Sequence, residues 1–214
     1  DFVMAVAVVV AEENPADVEA LKACRYPGTD RTVADVTADK VLAIGENIQI
    51  RRFVRYAEGV NVPYIHMGGK IAVLVKFDTS AEVAAKAEFQ EYAKNIAMQI
   101  AAVNPLYLNS SVVPADVIEH ERKIATEQAA STGKPANVIE KMVDGKIKKY
   151  FKEVCLVEQE YVKDNKLSIQ QYTDSVAKEL GGSIAIVDYV RFEKGEGLEK
   201  REDNFADEVA SMIK

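Results

Sequence analysis

The 214-residue chain reads as an α+β protein built from two similar lobes and a helical hairpin. Three features predict this: apolar residues at helical spacing, short β-branched runs bounded by turn residues, and two internal matches relating one half of the chain to the other.

The opening stretch, DFVMAVAVVVAEENP, holds an apolar run of ten residues from Phe2 to Ala11. A membrane span needs about 20 such residues, and a signal peptide would carry a basic segment ahead of its apolar core. The run therefore reads as an ordinary helix of a protein that engages no membrane. With 48% hydrophobic and 29% charged residues, the chain can bury one sizeable core or two small ones. A net charge of -7 argues against a nucleic-acid binder, which needs surplus Lys and Arg on one face. Cys24 and Cys155 are too few for a disulfide framework or a zinc site and read as reduced thiols.

Residues 81–103 place Val83, Phe89, Tyr92, Ile96, Ile100 and Val103 at three- and four-residue steps, which predicts one amphipathic helix ended by Asn104-Pro105. KIAVLVKF before it, introduced by Gly68-Gly69 and followed by Asp78-Thr79-Ser80, predicts a buried strand. Strands are also predicted over NIQIRRFVRY (Asn47 to Tyr56) and SIAIVDYVRF (Ser183 to Phe192). FVRYAEG from Phe53 matches YVRFEKG from Tyr189, 136 positions on. FVMAVAVVVAEENP from Phe2 matches YAKNIAMQIAAVNP from Tyr92, 90 positions on, pairing Asn14-Pro15 with Asn104-Pro105. Each repeat is thus a helix followed later by a strand. The strand that precedes the second helix has its first-repeat counterpart expected upstream of residue 1.

Val117 and Ile124 form one helical stripe, Gly133-Lys134-Pro135 stops and restarts the helix, and Val143, Ile147, Tyr150 and Val154 form the return stripe. This predicts a short antiparallel coiled coil, with Lys146, Lys148, Lys149 and Lys152 read as its solvated outer face.

Chemistry-bearing motifs are sparse. His66 and His120 sit in no nucleophile motif. Gly68-Gly69-Lys70 precedes its strand, whereas a phosphate loop follows one and opens a helix. The acids Glu193, Glu196, Glu199, Glu202 and Asp203 lack a calcium-loop pattern. No catalytic residue, cofactor or metal is expected, and a protein partner is.

Five stretches carry a more specific signal: IGENIQIRRFVRY (Ile44 to Tyr56), YIHMGGKIAVLVKF (Tyr64 to Phe77), NIAMQIAAVNPLYL (Asn95 to Leu108), GKPANVIEKMVDGKIKKYFKEVCLVEQEYVKD (Gly133 to Asp164) and RFEKGEGLEKREDNFADEVASM (Arg191 to Met212). They resemble, in the same order, the elongation factor Ts family, the guanine-nucleotide exchange factors of elongation factor Tu. The resemblance covers nearly all of residues 41–214. It implies two subdomains (1–58 and 59–198), each with a small antiparallel sheet and packed helices. It also implies an inserted coiled coil over about 115–154 and a C-terminal helical module over 199–214. The implied function is binding elongation factor Tu, GDP-bound and nucleotide-free, and promoting GDP release without covalent chemistry, in the bacterial cytoplasm or, as the alternative, an organelle stroma or matrix. A non-catalytic scaffold of the same fold is the alternative.

Partner-contacting residues follow from the same resemblance. Ile44, Gly45, Glu46 and Asn47 resemble the loop facing the partner's nucleotide domain, and Gly45 suits a close backbone approach. His66 resembles the position packing against the partner's third domain. Val162 and Met212 resemble interface positions of the second lobe and final helix, in which Phe205 and Val209 are assigned to core. The family's Thr-Asp-Phe-Val motif, which wedges near the partner's magnesium site, is expected upstream with a small helical domain, because the repeat register places Asp1-Phe2-Val3 inside the first helix. CRYPGTDRTVADVTADK (Cys24 to Lys40) departs from the better-matched parts and has no assigned role.

Overall fold

The computed structural model describes residues 1–198, and the chain divides into two compact units, Asp1–Glu58 and from Gly59 onward. The first unit holds three helices: α1 (Phe2–Glu13), α2 (Val18–Ala23) and α3 (Val33–Ile44). Asp17 starts α2 by accepting from the Ala20 N–H. Thr32 starts α3 in a reciprocal capping box with Asp35, satisfying donors that a helix start otherwise leaves open. Val6, Val9, Val10, Leu21 and Val33 form the core, with Phe2, Cys24, Tyr26, Ile50 and Phe53 packed on it. Phe2 stacks on Tyr26, ring centroids 6.1 Å apart, so the opening residues do belong to a helix, which begins one residue after Asp1.

Asn47 to Tyr56 form no strand, contrary to the expectation from their β-branched and aromatic content. A strand exists only through a ladder with a neighbour, and no other strand occurs among the described residues of this unit. The segment is held by side chains instead. Ile50 and Phe53 join the core, and Arg55 donates from Nε to the Ala11 carbonyl (3.1 Å) and from Nη1 to Asn14 Oδ1 (3.2 Å).

In the second unit β1 (Val60–His66), β2 (Ile71–Thr79), α4 (Ala81–Ala84), α5 (Ala87–Val103), α6 (Ala115–Ala130), α7 (Ala136–Val154), β3 (Glu160–Tyr161), β4 (Asp164–Ser168), α8 (Ile169–Leu180) and β5 (Ile184–Glu193) follow in order. The first, second and last strands make an antiparallel sheet, β1-β2-β5, and β3 and β4 pair separately. β2 lies at the centre, buried at Ile71, Val73, Val75 and Phe77, the alternation of a strand with one face in the core. Against it packs α5, whose Phe89 and Tyr92 rings meet Phe77 at 5.4 and 5.8 Å. On another side α5 meets α8, through the buried Tyr92 hydroxyl and Thr173 Oγ1 at 2.8 Å. Burial raises the Tyr92 phenol well above its ordinary range, so it stays a hydroxyl.

The single helix expected over 81–103 is two. Lys86 leaves helical geometry and caps α5, while its Nζ donates to the Leu180 carbonyl at 2.8 Å. Val83 in α4 lies so near Gly182 that a Cβ there would meet Val83 Cγ2 at 2.6 Å, so the glycine is a packing requirement.

α6 and α7 pack side by side, joined through Gly133 in the left-handed region. The seam differs in part from the expected stripes. Ala125 and Ala129 face Val143, Ile139 and Met142, and Ile147 is also buried, whereas Val117 and Ile124 are only half-buried. Arg122 reaches Asp144 across the pair at 2.9 Å. Lys146 also crosses, to Gln128, and so leaves the outer face on which it was expected. Lys148, Lys149 and Lys152 remain exposed. The base of the pair is stitched down by Leu106 and Tyr107 N–H groups on the Val154 carbonyl. Both cysteines are free, and burial followed by Glu158 pushes the Cys155 thiol up to about 11.

The internal repeat is visible in atomic detail. Asn14 (φ 47°) ends α1 and Asn104 (φ 51°) ends α5, both left-handed and both followed by proline. Arg191, the counterpart of Arg55, donates from Nη2 to the carbonyl of Ala101, the counterpart of Ala11. The units differ where β1 and β2 lie on α5: Ala93, Ala97 and Ala101 are buried, while Val3, Ala7 and Ala11 at the matching positions of α1 are exposed.

The asparagine caps generate a prediction. A residue with a Cβ pays about 1–2 kcal/mol in the left-handed region unless its side chain compensates. Asn104→Ala should lower stability by about 1 kcal/mol, and Asn104→Gly should be nearly neutral, both read from denaturant unfolding.

Candidate functional site

The described residues singled out in the sequence fall into two groups, one in each unit. In the first, Ile44 is the last residue of α3 and Gly45 its C-cap, with the Gly45 N–H on the Val41 carbonyl at 2.9 Å. Gly45 has φ 78° and open space where a Cβ would stand. Glycine is thus required there by backbone conformation alone, which turns the chain off the helix and presents Ile44, Glu46 and Asn47, all exposed. Ile44 is 60% and the neighbouring Leu42 83% exposed. Asn47 accepts from Gln49 Nε2 at 3.3 Å, and the Ile48 N–H closes back on the Glu46 carbonyl.

In the second unit His66 ends β1. It is the last rung of the β1–β2 ladder, opposite Ile71. The reversal that follows runs through Met67, Gly68 and Gly69, all at positive φ (49°, 65° and 94°). Glycine adopts this region freely and methionine does not, so the turn holds Met67 in a conformation it would not choose alone. The imidazole is half-buried, with Nδ1 2.9 Å from the Tyr64 hydroxyl. Ile65 and Met67 beside it are 63% and 61% exposed.

Val162 lies between β3 and β4, half of its surface exposed. The buried Gln99 of α5 positions it. Gln99 Oε1 accepts from the Val162 N–H at 2.9 Å, and its Nε2 donates to Gln159 Oε1 and the Glu160 carbonyl. Next to it, Lys163 Nζ donates to Asn95 Oδ1 at 2.7 Å. Met212, Phe205 and Val209 lie outside the described residues.

His66 and Val162 are therefore carried on different sheets, and Ile44 to Asn47 on a different unit. Leu42, Ile65 and Met67 are exposed apolar residues beside them that the sequence patterns did not single out. A usable signal existed for Ile65: it lies on the opposite parity of β1 from Val62, Tyr64 and His66, so a strand with one buried face must expose it. Among the described residues no group of three or more His, Cys, Asp or Glu could hold a metal ion, and no helix is long and apolar enough to cross a membrane.

Two outcomes test this geometry. Gln99→Met keeps the volume but strands the Val162 N–H and the Glu160 carbonyl, and should cost about 1–3 kcal/mol of stability, with amide exchange at Val162 rising most. Gly45→Ala should cost about 1 kcal/mol or more from the left-handed conformation despite the open space, measurable by denaturant unfolding.

Comparison with known proteins places these features in a family. A family model described as elongation factor TS matches residues 1–196. A protein of Syntrophotalea carbinolica named elongation factor Ts is 48% identical over 219 residues, covering 100% of this chain and 71% of that protein. Proteins of the same name from Magnetococcus marinus and Clostridium perfringens are 42% and 45% identical, covering 96% and 99% of this chain and 67% and 69% of theirs. On the strength of a match that runs through both units and every strand described above, the chain belongs to the elongation factor Ts family.

Proposed function

We propose that this protein is a guanine-nucleotide exchange factor of translation elongation, which binds elongation factor Tu and promotes release of its GDP so that GTP can enter. The observation that carries this reading is the family match over residues 1–196. The exposed apolar residues at the matched positions, Ile44 and Val162 with Leu42, Ile65 and Met67, are its physical support. Solvated apolar side chains held on rigid turns suit a protein partner better than a small molecule.

The mechanism needs no nucleophile. A surface that binds the nucleotide-free partner more tightly than the GDP-bound one must, by linkage, weaken GDP binding by the same factor. Ile44 to Asn47 face the nucleotide domain of the partner; His66, Val162 and Met212 contact it elsewhere; the antiparallel helices over 115–154 form a short coiled coil; and residues 1–58 and 59–198 are the two subdomains, with 199–214 as the C-terminal module. The site of action is the bacterial cytosol, in keeping with the bacterial sources of the relatives.

The test is release of labelled GDP from elongation factor Tu with this protein at substoichiometric amounts. Release faster than from elongation factor Tu alone is expected. Binding in pull-down without acceleration would replace the exchange reading with a non-catalytic scaffold. Calorimetry with GDP and this chain alone should give no binding heat.

A further inference from the structure

We propose that Tyr64 is a positioning residue for His66, fixing the imidazole as the tautomer that carries its proton on Nε2 and offers that N–H to an acceptor oxygen of the protein partner. This rests on the reading that His66 contacts elongation factor Tu. The starting observation is the 2.9 Å approach of the Tyr64 hydroxyl to His66 Nδ1. The two residues lie two apart on β1, and so on the same face of the strand. Their ring centroids are 5.7 Å apart at 38°, a tilted approach in which the directed link is the hydrogen bond.

Both ends of that bond are held. The Tyr64 ring packs against the large core of the second unit, so its hydroxyl is not free to follow the imidazole. The His66 backbone is the last rung of the β1–β2 ladder, and the positive φ values of Met67, Gly68 and Gly69 begin immediately after it. Ladder and turn together leave the side-chain torsions as the only freedom of His66, and the hydrogen bond removes it.

Chemistry sets the direction of the bond. A phenol O–H is a far stronger acid than a neutral imidazole N–H, and an imidazole nitrogen is a stronger base than a phenol oxygen. The better pairing is therefore O–H of Tyr64 donating to Nδ1 of His66. With Nδ1 engaged as acceptor, the neutral ring carries its proton on Nε2, and the free end of His66 is a donor. Its complement on the partner is a backbone carbonyl, a side-chain amide oxygen or a carboxylate, beside the exposed Met67.

The test uses Tyr64→Phe, which keeps the packed ring and removes only the hydroxyl, and His66→Ala, each in the full chain. Long-range nitrogen–proton NMR of the free protein should show a single His66 tautomer protonated at Nε2. Tyr64→Phe should give a mixture of tautomers with an unchanged pattern of backbone amide shifts outside β1. Affinity for elongation factor Tu should fall roughly three- to tenfold in Tyr64→Phe, the range of one hydrogen bond, and at least as far in His66→Ala. A wild-type ring protonated at Nδ1 overturns the proposal, as does a Tyr64→Phe variant with the wild-type tautomer and affinity. Loss of affinity in His66→Ala but not in Tyr64→Phe leaves the His66 contact standing and removes the role of Tyr64. Full affinity in His66→Ala removes the contact itself, and with it the proposal.

Discussion

Helix α5 is the member on which the second unit depends. It is buried on more than one side, by the sheet through Phe77, Phe89 and Tyr92 and by α8 through Tyr172 and Thr173. Aromatic groups with centroids within about 7 Å, in tilted and edge-on arrangements, add to the apolar burial they supply. The polar groups α5 buries are also used. Gln99 closes the β3–β4 turn, and Asn95 links Tyr172 to Lys163. One helix thereby anchors two otherwise separate surface features, the β1–β2 hairpin that ends at His66 and the turn that carries Val162.

This arrangement suits a protein whose proposed work is binding. Exposed apolar side chains are stable as a recognition surface only when their backbone is fixed, because ordering a mobile loop on binding costs free energy that the contact must then offset. Ile44 ends a helix closed by a left-handed glycine, Met67 sits in a turn of left-handed residues, and Val162 hangs from a buried glutamine. Three different local devices give the same result, an apolar side chain presented on backbone that does not need to be ordered.

The repeat between the units shows which local interactions the two share. Left-handed asparagine before proline, and an arginine donating to a carbonyl three residues ahead of it, occur at Asn14 with Arg55 and at Asn104 with Arg191. The surroundings differ. Arg191 sits on β5, in a ladder with β2, whereas Arg55 sits on backbone with no ladder at all. The arginine bond therefore does not require the strand, which is why the same short sequence could be read as a strand in both places and be one in only one.

What the sequence determined by itself was local: the helix of the opening residues, the paired helices over 115–154, the strands around Val73 and Ile186, and the asparagine ends of α1 and α5. Each follows from periodicity, capping or a turn residue within a few positions along the chain. The resemblance pointed to the family, and the match over residues 1–196 shows it. Tertiary structure decided the rest. Lys86 breaks the helix because its ammonium reaches Leu180 and Val83 must fit Gly182. Residues 47–56 stay out of a sheet because no other strand occurs among the described residues of their unit. The helical pair closes on Ala125 and Ala129 instead of Val117 and Ile124, because small residues let two helices approach most closely. At Lys86 and Val83 the deciding partners lie nearly a hundred positions away, and a pattern read along the sequence carries no record of what packs against it.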